Sequence, residues 1–222
     1  NAIGGLLGDH KVMIRYLVSN AGKGSGSRFF LGGGFSLPSK NTLISDPFFL
    51  TDKNKMEEHR HFSMSDGCYK LIGETQIYLK RNFNPIFVGG ALLVETPFEE
   101  NQYGYKSSTL YDLSLTAITN EQHFLKRSLS FNLSLTHTTT GYWNGLEAPN
   151  SKATIATLGI GSLRNTDFGV VTIGVLKPVF IYGGFSGTDG EVDNQVSAWR
   201  LNIGFRRLFD YVIPWLDPLK NL

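Results

Sequence analysis

Between residues 110 and 140 apolar and polar side chains alternate with a period of two, the repeat of a β-strand and not of a helix. Tyr111, Leu113, Leu115 and Ala117 fall on one side, with Asp112, Ser114 and Thr116 on the other. The next run is cleaner: Leu129, Phe131, Leu133 and Leu135 alternate with Ser128, Ser130, Asn132, Ser134 and Thr136. Near the C-terminus Arg200, Asn202, Gly204 and Arg206 oppose Trp199, Leu201, Ile203 and Phe205, and near the N-terminus Lys11 and Arg15 oppose Val12, Ile14, Tyr16 and Val18. Extended along the chain, the pattern predicts about nine strands, over residues 11–18, 28–37, 68–80, 85–95, 108–119, 128–138, 153–161, 169–181 and 196–208, and no helix of any length before residue 209.

Many of these strands run to ten residues or more, against about five or six in globular sheets and about nine to eleven for a tilted strand that crosses a bilayer. The connections alternate in length. Residues 81–84, 120–127 and 162–167 are short, whereas 38–66, 96–107, 139–152 and 182–195 are long. Outer-membrane barrels show this asymmetry, with short periplasmic turns and long extracellular loops. The apolar faces carry almost no charge between their ends. The polar faces present Lys11, Arg15, Arg28, Lys70, Glu74, Lys80, Glu95, Asp112, Arg200 and Arg206, all predicted to line a lumen, and a lipid-facing charge at the midplane would cost about 2–4 kcal/mol. Aromatic residues cluster at strand ends: Tyr103, Tyr105, Tyr142, Trp143, Tyr182, Trp199, Phe209, Tyr211 and Trp215 read as interfacial girdles.

The fold expected is all-β, an antiparallel up-and-down transmembrane barrel of about ten strands formed by one domain over residues 1–222. A soluble β-sandwich or calycin-like binding barrel alternates in the same way and is the competing fold. Nine up-and-down strands leave the first and last parallel, so a further strand is expected before Asn1, over residues 1–8 or over 211–216. Pro214 and Pro218 disfavour a regular strand at the end, where 209–222 reads as an irregular interfacial segment. The first residue is Asn1 and no charged n-region leads an apolar run, so the chain reads as a mature form or a part of a longer precursor.

Composition narrows the function classes. With 222 residues, 21 Lys+Arg and 19 Asp+Glu, the charge is nearly balanced and no basic run offers a nucleic-acid footprint. A single cysteine, Cys68, excludes an internal disulfide and a cysteine zinc module. The content of 25 Gly and 13% aromatics is typical of β structure with crowded bends.

Two segments resemble known families. Phe30-Leu31-Gly32-Gly33-Gly34-Phe35-Ser36-Leu37-Pro38-Ser39, followed by a long loop and by Ser63-Met64-Ser65-Asp66-Gly67-Cys68-Tyr69, resembles the outer-membrane transporters linked to meta-pathway phenol degradation, with Lys40 where that family usually has Gly. The resemblance implies a barrel and transport of small, apolar molecules. Leu135-Thr136-His137-Thr138-Thr139-Thr140-Gly141 is similar to the His-x-Ser-Asn-x-Gly pattern of outer-membrane phospholipases and lipid A deacylases, with Thr139 in place of the serine and Thr140 in place of the asparagine. That resemblance implies a lipid hydrolase in which His137 activates Thr139; the departures make a girdle role for His137 the better expectation.

Other candidates have bland readings. Glu57-Glu58-His59-Arg60-His61 has two imidazoles on one side of an extended segment, yet Arg60 lies between them and no third histidine is near, so a solvated loop is expected. Asp189-Gly190-Glu191-Val192-Asp193-Asn194 lacks the distal Glu of a calcium loop, and Lys23-Gly24-Ser25-Gly26-Ser27 lacks the strand-to-helix context of a phosphate loop. No catalytic residue, metal or cofactor is assigned. The expectation is a bacterial outer-membrane barrel acting as a small transporter or channel. The alternative is a non-conducting barrel that anchors an envelope complex. Partners expected are outer-membrane lipid and lipopolysaccharide, small solutes and envelope proteins, and not nucleic acid. An interior in which seven cations face three acids forms either a salt-bridged plug or, if open, an anion-favouring pore.

Overall fold

The computed structural model describes residues 7–21, 24–46, 63–121, 126–183 and 198–207. Nine long strands follow one another in a single antiparallel sheet: β1 (His10–Asn20), β2 (Gly26–Leu37), β3 (Lys70–Lys80), β4 (Phe87–Pro97), β6 (Leu110–Ile118), β7 (Ser128–Thr138), β10 (Ala153–Thr166), β11 (Gly169–Tyr182) and β12 (Arg200–Arg206). Three short strands, β5 (Tyr105–Lys106), β8 (Tyr142–Trp143) and β9 (Leu146–Glu147), pair separately within the long loops. Among the described residues there is no helix, β1 pairs only with β2, and β12 pairs only with β11. Of the segments where a further strand was expected, 1–8 lies outside the described residues except for Leu7 and Gly8, and 211–216 lies wholly outside them, as do Phe209, Tyr211 and Trp215.

All nine strands predicted from the alternation are present. The largest difference is in β10, which runs on through the expected turn at 162–167 to Thr166. Ser162 pairs with Ile173 and Thr166 with Gly169, which leaves Asp167 and Phe168 as a two-residue hairpin turn. Thr166 Oγ1 donates to the Gly169 carbonyl at 2.7 Å and closes it. The polar residues Arg164, Asn165 and Thr166 looked like loop, but here they lie exposed at the rim of the sheet.

The sheet has one apolar and one polar face. Val12, Ile14, Tyr16, Leu31, Phe35, Ile77, Leu113, Leu133, Ile160, Val175 and Ile203 project from the apolar face and are exposed, Ile14 at 77% and Ile203 at 73%. No second layer covers them among the described residues. The polar face is concave over β1–β4. Lys11 on β1 meets Glu95 on β4 at 2.5 Å, although β2 and β3 lie between them. Three strand spacings separate such residues by about 14 Å on a flat sheet, where side chains stand perpendicular, so their heads meet only if the sheet rolls towards this face.

The fully buried apolar residues cluster where the long loops come together. Cys68 is 1% exposed and Trp143 2%, with Ala148 close behind, whereas Ile72 is the one such residue on a long strand. Tyr105 and Trp143, read from the sequence as girdle residues, instead pair with each other on β5 and β8, ring centroids 4.8 Å apart. Asn101 ties the loops together: its Oδ1 accepts the Tyr103 and Tyr105 N–H groups, and its Nδ2 donates to the Asp66 carbonyl at 2.9 Å. Cys68 Sγ donates to the Tyr105 carbonyl at 3.3 Å, and burial pushes its thiol pKa up. The described parts of these loops, around residues 63–69, 98–107 and 139–152, therefore pack together as a cap at one end of the sheet. As the only cysteine, Cys68 reports on that cap. Trp143→Ala removes about 3–5 kcal/mol of packing from it, and maleimide labelling of Cys68 at neutral pH is expected to speed up at least tenfold; an unchanged rate would show that the cap does not depend on Trp143.

Candidate functional site

The ten charged residues predicted to share the polar face separate into two groups. Five come together on β1, β3 and β4. Arg15 Nε and Nη2 donate to Glu74 Oε2 and Oε1 at 2.9 and 3.0 Å, a bidentate pair spanning β1 and β3 above Gly32 of β2. A Cβ on Gly32 would stand 3.0 Å from Glu74 Oε2 and 3.3 Å from Glu74 Cβ, so the pair lies tightly over the glycine. Glu95, on β4, is buried and accepts from two lysines, Lys11 at 2.5 Å and Lys70 at 3.5 Å. Lys70 also meets Asp66 at 2.5 Å, which joins the loop cap to the charged face.

The network continues down β3. Gln76 Nε2 donates to Glu74 Oε1 at 2.5 Å and Tyr78 OH donates to Gln76 Oε1 at 2.8 Å. Asp66, Gln76 and Tyr78 were not singled out in the sequence. Gln76 and Tyr78 carried a usable signal, since they share the parity of Lys70, Glu74 and Lys80; Asp66 precedes Lys70 by four residues but lies outside the strand.

The other five residues do not join this network. Arg28 Nε donates to Asn20 Oδ1 at 3.2 Å, and Asp112 Oδ2 accepts from Thr136 Oγ1 at 2.7 Å. Lys80, Arg200 and Arg206 lie exposed at strand ends. Three cations (Lys11, Arg15, Lys70) thus meet three acids (Asp66, Glu74, Glu95) near the cap, and the excess positive charge of the face falls on Arg28, Lys80, Arg200 and Arg206.

His137 lies on the apolar face, between Tyr111 and Thr154 across the ladder. Its Nδ1 and Thr154 Oγ1 are 2.8 Å apart, while the Thr139 hydroxyl oxygen accepts the Thr109 N–H at 2.9 Å. The imidazole and the hydroxyl that the hydrolase pattern would couple are each engaged with other partners. Residues 57–61 and 189–194 lie outside the described residues. Among the described residues no group of three or more metal-ligating side chains occurs.

Gly32→Val is expected to cost about 1–3 kcal/mol by overpacking and to abolish the coupling between Arg15 and Glu74 in a double-mutant cycle read by urea unfolding. Glu95→Ala leaves Lys11 and Lys70 short of a buried counter-charge and should cost about 3 kcal/mol or more in urea unfolding. Arg15→Met should cost a similar amount, about 3 kcal/mol, because it leaves the buried Glu74 carboxylate with Gln76 as its remaining partner; a loss below about 1 kcal/mol for either would show that its pair does not hold the face together.

Comparison of the chain with protein-family models, with curated proteins and with solved structures finds no match, so its functional reading rests on its own geometry.

Proposed function

We propose that the nine strands form most of the wall of a transmembrane β-barrel in a bacterial outer membrane, with the polar face inward, and that the protein acts as a transporter or channel for small molecules. The observation that carries this reading is the apolar face, exposed along all nine long strands with no covering layer among the described residues. A monomer in water rarely leaves more than a few hundred Å² of contiguous apolar surface open, and a face of this extent fits the hydrocarbon of a bilayer. The roll of β1–β4 towards the polar face, the strand lengths, and the alternation of short turns with long loops support the same reading. Lipid and lipopolysaccharide are then the partners of the apolar face.

On this reading the charged residues line the lumen. The Lys11–Glu95–Lys70–Asp66 and Arg15–Glu74 groups occupy the part of it nearest the cap and restrict passage to small solutes. The unmatched cations further along give the lumen a field that favours anions. The same cap and ion pairs also favour a second reading, a barrel that conducts nothing and anchors an envelope complex through its long loops.

Planar-bilayer recording on the detergent-extracted protein separates these readings. Discrete, small, anion-preferring conductance steps are expected. Insertion without conductance would leave the anchor, and failure to insert would return the chain to a soluble β-sandwich or calycin-like barrel. His137→Ala is expected to leave phospholipid and lipid A turnover at the background of the wild-type protein; a turnover present in the wild type and lost in the variant would establish the hydrolase instead.

A further inference from the structure

The polar face changes character along its length. Near the cap, cations and acids are matched. Towards the short turns, Arg28 and Lys80 project from β2 and β3 with no carboxylate partner in contact among the described residues, and they flank a cavity of about 290 Å³. The rings of Phe30, Tyr78 and Phe87, the amide of Asn20 and the small residues of the β1–β2 turn line it together with the two cations. The rings are ordered. Phe30 meets Tyr78 edge-on at 5.9 Å between centroids, and Phe87 stacks on the other side of Tyr78 at 5.5 Å.

Two local features fix this arrangement. The Tyr78 hydroxyl donates to Gln76 Oε1 at 2.8 Å, which directs its proton along β3 towards the ion pairs and away from the cations. Gly89, beside Tyr78 across the ladder, leaves room for the ring; a Cβ there would stand 2.6 Å from Tyr78 Cδ1. The Arg28 guanidinium is oriented by its Nε–H bond to Asn20 at 3.2 Å, which leaves its terminal nitrogens without a hydrogen-bond partner among the described residues.

A wall of rings beside two like charges suits one class of ligand. A neutral hydrocarbon would fill the apolar part but leave the cations uncompensated, and a bare inorganic anion would meet the cations but not the rings. We propose that this cavity binds a small organic carboxylate: the carboxylate pairs with Arg28 and Lys80, and a body the size of one ring or a short chain lies against Phe30, Tyr78 and Phe87. The site is built from β1–β4 alone, so only its place inside a lumen rests on the barrel reading.

The test is titration of the purified full chain in detergent with benzoate, followed by calorimetry, with benzamide and inorganic phosphate as comparisons. Benzoate is expected to bind saturably at one site, with benzamide at least tenfold weaker and phosphate unable to displace benzoate at equal concentration. Arg28→Gln and Lys80→Gln should each weaken benzoate at least fivefold, and Phe30→Leu should weaken it with both cations in place. Should Arg28→Gln lose the β signal in circular dichroism, Lys80→Gln decides alone, because the Lys80 side chain bonds to none of the described residues. Benzamide binding as tightly as benzoate, displacement by phosphate, or full affinity in Lys80→Gln would each overturn the proposal. Benzoate binding by a protein that gives no conductance would remove the transport reading and keep the site.

Discussion

The contact between Lys11 and Glu95 sets the shape on which the rest depends. Side chains three strands apart meet only when the sheet between them is rolled, and rolling crowds whatever lies on the inner side of β2 and β3. That is where the chain is small: Gly32, Gly34 and Ser36 occupy successive polar-face positions of β2. Arg15 and Glu74 close over the first of them, and Lys11, Ser36 and Lys70 share a row beside Glu95. Curvature, small residues and long charged side chains are one arrangement. A flat sheet would leave Glu95 without Lys11 and would have no use for a glycine under Arg15.

The two faces carry different contents. On the polar face of β1–β4 the charged residues bond to one another, while the apolar face carries Leu, Ile, Val, Tyr and Phe that stand exposed. Most of the buried apolar packing lies instead in the cap, around Trp143, Cys68 and Ala148. The sheet therefore draws its order from its ladder and its polar face, and the cap from its packing. Asp66 links the two through Lys70, which stands at the first position of β3.

The strands were legible in the sequence where one face is apolar and the other polar, as in β1, β6, β7 and β12, whereas β11 departs from that pattern with Lys177, which stands on the apolar face opposite Leu158. The parity of all ten charged residues followed from the same signal. Their partners did not, since pairing Lys11 with Glu95 requires the registers of three ladders and the roll, none of which is local. Tyr105 and Trp143 were misassigned because an aromatic residue near a strand end looks the same whether it faces a membrane interface or a folded loop. The close of β10 was misplaced for a related reason: at an exposed rim, polar residues do not distinguish strand from turn. His137 and Thr139 share a parity, yet the ladder sets His137 beside Thr154, a partner that only the register reveals.

The two edges of the sheet are held by different forces. β1 is exposed on both faces along its whole length, but it is fixed to β2 by its ladder, to β3 through Arg15 and to β4 through Lys11. β12 is a shorter strand, joined to β11 over seven paired positions, and its polar-face residues Arg200 and Arg206 make no described ion pair with a neighbouring strand. Both strands run from the cap towards the short turns, so one antiparallel strand between them would satisfy both exposed ladders at once, whereas direct pairing would be parallel and more weakly bonded. In either case the side-chain ties that set curvature lie on the β1 side. At the other edge β12 is held to β11 by its ladder, by Thr172 Oγ1 donating to the Gly204 carbonyl and by Lys177 over the Trp199 ring, contacts between neighbouring strands that fix no curvature across several of them.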